Sequence, residues 1–132
     1  MAGKPCIFCH TGGEKLVAEN ALAQAVLDTY PVSAGHTLIV PRRHARTIWE
    51  LTDEEYAACF ALVREAQAII AGRHRPDGFN VGVNCEEAGG QSVWHAHIHL
   101  IPRYQGDVPD PRGGVRNVIP HKAHYVRKER KP

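Results

Sequence analysis

Gln91-Ser92-Val93-Trp94-His95-Ala96-His97-Ile98-His99-Leu100-Ile101-Pro102 places a histidine at every second position from 95 to 99 and fills the gaps with apolar residues. A period of two predicts a strand, here over His95–Ile101. Residues i, i+2 and i+4 of a strand share a face, so the three imidazoles emerge together, each roughly 7 Å from the next. Ala96, Ile98 and Leu100 then turn into a core. A row of imidazoles can bind a metal ion or do nucleophilic and acid–base chemistry near neutral pH. An affinity tag would be terminal and contiguous; this run is internal and interleaved.

Working outward, Phe79–Asn84 alternates Phe79, Val81 and Val83 with Asn80, Gly82 and Asn84, the pattern of a half-buried strand. The glycine-containing loop Cys85–Val93 folds back from it to the histidine strand. Upstream, Thr52 and Glu55 form a Thr-x-x-Glu capping box that starts a helix over Asp53–Ala71. Tyr56, Phe60, Val63, Gln67 and Ile70 keep helical spacing, and Cys59, Leu62 and Ile69 widen the apolar face. Gly72 suits the position after the last helical residue, and Pro76 bars continuation. Lys15–Glu19 and Leu22–Asp28 read as two strands around a turn at Glu19-Asn20. Pro31–Gly35 is a loop, and His36–Val40 is a short strand closed by Pro41. Strands that can pair as antiparallel hairpins, with one long helix, predict an α+β meander. After Tyr104 the chain becomes irregular: Gln105–Gly114 is rich in Pro, Gly and Asp, and Arg127–Pro132 is a charged tail.

A chain of 132 residues suits one domain with a real core, and 43% hydrophobic with 23% charged residues is ordinary for a globular protein. A net charge of +2 argues for neither a nucleic-acid-binding nor a membrane-surface protein. Met1-Ala2-Gly3-Lys4-Pro5 has no apolar signal region, and no apolar run approaches a membrane span. A cytoplasmic location follows as the expectation, with the four cysteines buried or metal-bound rather than paired. Cys6-Ile7-Phe8-Cys9 puts two thiolates within reach of one ion, though the same spacing also serves a redox pair or two buried cysteines. His44 and His95 are candidates to complete a four-ligand set. Cys59 lies on the apolar helix face and reads as core.

Gly89-Gly90-Gln91-Ser92-Val93-Trp94-His95-Ala96-His97-Ile98-His99-Leu100-Ile101-Pro102 resembles the signature of the histidine-triad (HIT) superfamily, His-x-His-x-His followed by two apolar residues, with its Gln-Ser-Val lead-in. The resemblance extends through Gly35–His44 and Leu27–Pro31 back to Cys6–Cys9, covering most of residues 5–104. It implies a single α+β domain: an antiparallel sheet carrying one long helix and a short helix, usually a homodimer. Residues 1–104 would be the HIT domain and 105–132 an irregular C-terminal extension. In metal-binding members, and in the related galactose-1-phosphate uridylyltransferases, the structural Zn2+ ligands correspond to Cys6, Cys9, His44 and His95.

The same resemblance implies the chemistry. His97 would attack the α-phosphorus of a nucleotide and form a nucleotidyl–imidazole intermediate, its Nδ1 proton held by the carbonyl of His95. His99 would donate to a phosphate oxygen in the transition state. Ser92 and Gln91 would meet phosphate and leaving-group oxygens, although each can equally be a loop residue bonding its own backbone. Asn84 and Gly90 correspond to phosphate-side or ribose-side positions. Asp28 would accept the ribose hydroxyls, since two carboxylate oxygens suit a vicinal diol, unless it only shapes the turn before Pro31. Ile7, Phe8, Leu27 and Thr29 correspond to the walls around the base. Such a pocket offers little hydrogen-bond readout, so base discrimination is expected to be modest.

The expected activity is hydrolysis at an α-phosphate, with dinucleoside polyphosphates of the diadenosine tetraphosphate type as the preferred substrates. Arg112, Arg116 and Lys122 of the extension would reach a polyphosphate leaving group, or form a solvated basic edge, or pack on a partner subunit. The alternatives are an adenosine phosphoramidate hydrolase and a nucleotide-binding module with little catalysis. Uridylyl transferases carry Gln at the third triad position, where this chain has His99. DNA-repair deadenylases bring further nucleic-acid-binding modules, for which this chain is too short and too neutral.

Overall fold

The computed structural model describes residues 6–125. Five strands and one α-helix form in chain order: β1 Leu16–Glu19, β2 Ala23–Leu27, β3 Thr37–Pro41, α1 Asp53–His74, β4 Gly78–Val83 and β5 Ile98–Arg103. They make one antiparallel sheet in the order β1-β2-β3-β5-β4. The β1–β2 turn is held by Asn20, whose Oδ1 accepts from the backbone N–H groups of Leu22 and Ala23. The expected second, short helix does not form among the described residues, where short 3-10 turns stand instead, including Ile48–Glu50 just before α1. No helix among the described residues is long and apolar enough to cross a membrane.

The capping box at the start of α1 is as predicted: Thr52 Oγ1 accepts from Glu55 N–H, and Glu55 Oε1 accepts from Thr52 N–H. The end is not. Gly72 lies inside the helix, which continues to His74, and the left-handed cap is Arg75 at φ 51°. Arg73 and His74 suit the negative end of the helix dipole, and Pro76 keeps the residue before it out of helical geometry. The buried stripe is Glu55, Cys59, Leu62, Ala66 and Ile70. Tyr56 and Phe60, expected on the core face, sit at its border and are more than a third exposed.

Helix α1 covers one face of the sheet. There Ala23, Ala25, Ile39, Ile98 and Leu100 pack against Cys59, Leu62 and Ala66. Cross-strand register sets the other face: Val26 opposes Leu38, and Leu38 opposes His99. A groove therefore opens on the face away from the helix. Gly35 fixes the loop that leads into β3. Its φ is 90°, and a Cβ there would lie 2.9 Å from the His74 ring and 3.0 Å from Ile70, so only glycine fits.

The histidine run departs from its expected strand. β5 begins at Ile98, so His95 and His97 precede the ladder. Ala96 N–H bonds Ala45 C=O instead of a neighbouring strand, and the chain bends there. Consequently the three imidazoles do not share one face. Beyond Tyr104 the described chain is turns and 3-10 segments at Gly114–Val118 and Pro120–Lys122. The tail Arg127–Pro132 lies outside the described residues.

Candidate active site

A cavity of about 670 Å³ lies on the helix-free face, floored by Val26, Leu38 and His99. His97, Ser92, Asn84, Gly90, Ile7, Phe8, Leu27, Asp28 and Thr29 also line it, with the Phe8 ring 4.9 Å from that of His97. Two of its histidines have their tautomers set by one-way hydrogen-bond partners. His97 Nδ1 lies 2.8 Å from His95 C=O. A carbonyl can only accept, so Nδ1 carries the proton and Nε2 keeps its lone pair. His97 is buried and lines the cavity.

His99 receives the opposite assignment through His36. Val32 N–H donates to His36 Nδ1 at 3.1 Å, so the His36 proton is on Nε2. That Nε2 lies 3.0 Å from His99 Nδ1 and 3.5 Å from Asp28 Oδ2. His36 thus donates to His99 Nδ1, and His99 carries its own proton on Nε2. Burial, reinforced by the neighbouring His97 and His36, pushes His99 down to about 4. Burial likewise lowers His36. Both rings are neutral at pH 7, and His97 and His99 stand 5.1 Å apart between ring centroids as a lone pair beside an N–H donor. This combination can deliver a nucleophile and stabilise an anion in one place.

His95 is turned away from the cavity. Its Nε2 lies 2.8 Å from Pro41 C=O, which leaves Nδ1 unprotonated. Burial lowers its pKa as well. Nδ1 sits 3.4 Å from Cys6 Sγ and 3.5 Å from Cys9 Sγ, and His44 Nδ1 is 3.2 Å from Cys9 Sγ. All four donor atoms lie within 4.8 Å of one another. Around tetrahedral zinc, with Zn–S about 2.3 Å and Zn–N about 2.0 Å, neighbouring S and N atoms are separated by roughly 3.6 Å. The observed spacings are close to that, and a carbonyl behind the histidine is the usual outer support of such a ligand. The donor set therefore suits a closed structural zinc site. Next to His44 in the chain, Arg43 forks onto Glu55 at the start of α1 at 2.9 and 2.8 Å.

Ten of the residues expected at a nucleotide site line the cavity together: Ile7, Phe8, Leu27, Asp28, Thr29, Asn84, Gly90, Ser92, His97 and His99. Asp28 does both things weighed for it, since Oδ1 accepts from Tyr30 N–H in its own turn while the side chain also borders the cavity. Gly90 has φ 91°, and a Cβ there would lie 3.8 Å from the Asn84 side chain. Gln91 is a correction. Its amide accepts from Glu86 N–H and donates to Arg46 and Val93 carbonyls, so it clamps the loop instead of facing the cavity.

Of the three readings open for the extension, its exposed basic residues fit the solvated edge. Arg112 pairs with Asp110, and Arg116 donates to Lys122 and Ala123 carbonyls and stacks on Tyr125. Both arginines are committed within their own segment, and no described residue after His99 lines the cavity. Residues missed from the sequence are His36, Lys15, His10 and Thr11. A histidine opening an otherwise apolar strand was the available sign for His36. Nothing local marked Lys15.

Comparison with known proteins bears on the fold and the family. A histidine-triad structure from Mycobacterium smegmatis, described as Zn-bound, superposes with a TM-score of 0.68 at 30% identity, over 80% of this chain and 84% of that one. The class is therefore the HIT fold. The HIT domain model matches residues 12–106, and the chain belongs to the HIT family. It is 42% identical over 93 residues to an AP-4-A phosphorylase of Mycobacterium tuberculosis, covering 70% of this chain but only 48% of that protein. It is 37% identical over 102 residues to an adenosine 5'-monophosphoramidase of Schizosaccharomyces pombe, covering 74% of each. The chain thus spans about half the length of the phosphorylase it resembles.

Proposed function

We propose that the protein hydrolyses nucleotides at the α-phosphate through a nucleotidyl–His97 intermediate. The observation that carries this is the opposed pair of tautomers, a lone pair on His97 Nε2 beside an N–H on His99 Nε2, in one cavity. His97 Nε2 forms a bond to phosphorus as the bond from phosphorus to the leaving group breaks. The leaving group departs with the electron pair and takes up a proton. Water then attacks phosphorus, loses a proton, and releases the nucleoside monophosphate and free imidazole. His99 N–H meets the non-bridging oxygen on which charge grows, and Ser92 and Asn84 serve as further donors. Asp28 takes the ribose hydroxyls, and Ile7, Phe8, Leu27 and Thr29 enclose the base.

Dinucleoside polyphosphates are the preferred class, supported by the relative named AP-4-A phosphorylase. An adenosine phosphoramidate is the second reading, supported by the relative named a monophosphoramidase. Cys6, Cys9, His44 and His95 hold a structural Zn2+ that shapes the site and takes no part in the chemical steps. The working unit is a homodimer. Tyr56 and Phe60, stacked at 5.0 Å on the outer border of α1, are the apolar surface that a second copy would cover. The catalytic unit ends near Tyr104.

The test is product analysis with diadenosine tetraphosphate and adenosine phosphoramidate, each with and without inorganic phosphate. Release of a nucleoside monophosphate without added phosphate is expected. A nucleoside diphosphate appearing only with phosphate would make the acceptor phosphate instead of water. No turnover of either substrate would leave a binding module.

A further inference from the structure

One proton on His36 stands before two acceptors. Val32 N–H occupies His36 Nδ1, so the neutral ring has its single N–H on Nε2. That Nε2 lies 3.0 Å from His99 Nδ1 and 3.5 Å from Asp28 Oδ2. A hydrogen drawn toward a second acceptor bonds the first less well. Backbone fastens the three groups together. Asp28 N–H donates to His36 C=O at 2.9 Å, and Leu38, two residues on, pairs across the sheet with His99. Asp28 Oδ1 accepts from Tyr30 N–H at 2.9 Å, which leaves Oδ2 as the oxygen that meets His36. Burial lowers the pKa of both imidazoles, and the Asp28 carboxylate opposes that in each, so its charge is felt at His99 as well as at His36.

We propose that His36 is a positioning residue through which the sugar held at Asp28 fixes the proton of His99, so that a ribonucleotide secures the donor its own phosphate needs. This rests on the nucleotide reading above, which gives the ribose to Asp28 and a phosphate oxygen to His99. With no sugar bound, Asp28 Oδ2 draws on the His36 hydrogen. His99 Nδ1 then has a weakened donor, and its Nε2–H form is less firmly held. A ribose hydroxyl that donates to Oδ2 satisfies the carboxylate. The His36 hydrogen bond then goes wholly to His99 Nδ1, and the His99 proton is fixed on Nε2. The sugar thus acts on turnover through a chain of two hydrogen bonds. A sugar without these hydroxyls loses its own contact and leaves the His36 hydrogen divided, so it costs kcat as well as affinity.

Kinetics of the full-length protein with adenosine phosphoramidate and its 2′,3′-dideoxy counterpart test this. The dideoxy compound should raise KM and also lower kcat by about tenfold, within the usual range of coupling between two sites. His36→Leu removes the shared hydrogen and lowers kcat for both compounds. In that variant the dideoxy change should lower kcat further by less than about twofold, while the KM penalty stays. A dideoxy loss confined to KM in the unaltered protein, or a kcat loss of the same size in His36→Leu, overturns the coupling while the nucleotide reading stands. Nitrogen-15 NMR of the unaltered protein needs neither the variant nor turnover. Bound AMP should move the His99 ring nitrogens toward the Nε2–H form, and bound 2′,3′-dideoxy-AMP should not. Equal movement with both, or none with bound AMP, overturns the coupling. Failure of AMP to bind overturns the coupling and the nucleotide reading together.

Discussion

At His95 the ring nitrogen engaged by a carbonyl is Nε2; two residues later, at His97, it is Nδ1. The first choice turns Nδ1 toward Cys6, Cys9 and His44. The second leaves Nε2 in the cavity. The residues are chemically identical, and both are buried. On the proposed roles, what separates a ligand from a nucleophile is which backbone oxygen, Pro41 or His95, is placed against which edge of the ring. The cluster is closed, with four donors facing one another, whereas the cavity is open with its reactive nitrogen unpaired. The contrast teaches that neighbouring imidazoles acquire separate roles through fixed acceptors, not through differences of sequence.

Substitutions can break this contrast, and the largest effect should come from the cavity. His97→Ala should lower turnover by several powers of ten while moving Tm little, since only the nucleophile is lost. Single-turnover kinetics alongside a thermal melt measures both; activity within about tenfold of the unaltered protein would refute the assignment. On the cluster side the order inverts. Cys9→Ser should cost about 3 kcal/mol, on the order of 10 °C in Tm, and lose the metal, because a closed site contributes its binding energy to folding. Elemental analysis finding no zinc in the unaltered protein, prepared without chelator, would remove the cluster's half of the comparison.

His36→Gln sharpens the cavity half. It alters the hydrogen bond that sets the His99 tautomer, so kcat should fall by about 100-fold, in the range of a lost oxyanion donor, with KM little changed. A loss confined to KM would mean that His36 only shapes the pocket.

Glu55→Gln should have the smallest effect at pH 7, about 1–2 kcal/mol, through the weakened fork to Arg43 and the altered capping box. The sign of its pH dependence follows from the carboxyl. The Arg43 guanidinium, followed by the Thr52 backbone N–H, holds Glu55 down to about 2, below the usual value of 4.5. Its stabilisation is therefore complete above about pH 4.5 and is lost as pH falls toward 2. The gap in Tm between Glu55→Gln and the unaltered protein should close over that interval. Comparing the two proteins at each pH cancels any acid effect on the cluster that they share.

Local chemistry made much of the fold legible. The period of two located β4 and most of β5, and Thr52 with Glu55 marked the start of α1. Errors arose where distant backbone decided. The histidine run reads as one continuous strand until Ala96 N–H is found bonded to Ala45 C=O. Gly72 reads as a stop until Pro76 and the left-handed Arg75 are seen to end the helix a turn later. At the site, spacing and resemblance to a family suggested Cys6, Cys9, His44 and His95, which the fold gathers. Gln91 was misjudged because its amide finds three backbone partners that no local pattern announces. Lys15 was invisible because its partner Thr29 reaches it only when β1 and β2 pair.

Ile7 and Phe8 stand between the two cysteines of the cluster and are also a wall of the cavity, with the Phe8 ring 4.9 Å from His97 and 6.1 Å from His95. The wall thus hangs between two anchors, and its position is only as firm as they are. On the proposed loading, metal supply becomes a control on substrate capture with no ion near the reacting phosphorus. In a zinc-starved cell each folded molecule would keep the same nucleophile but grip its nucleotide more loosely.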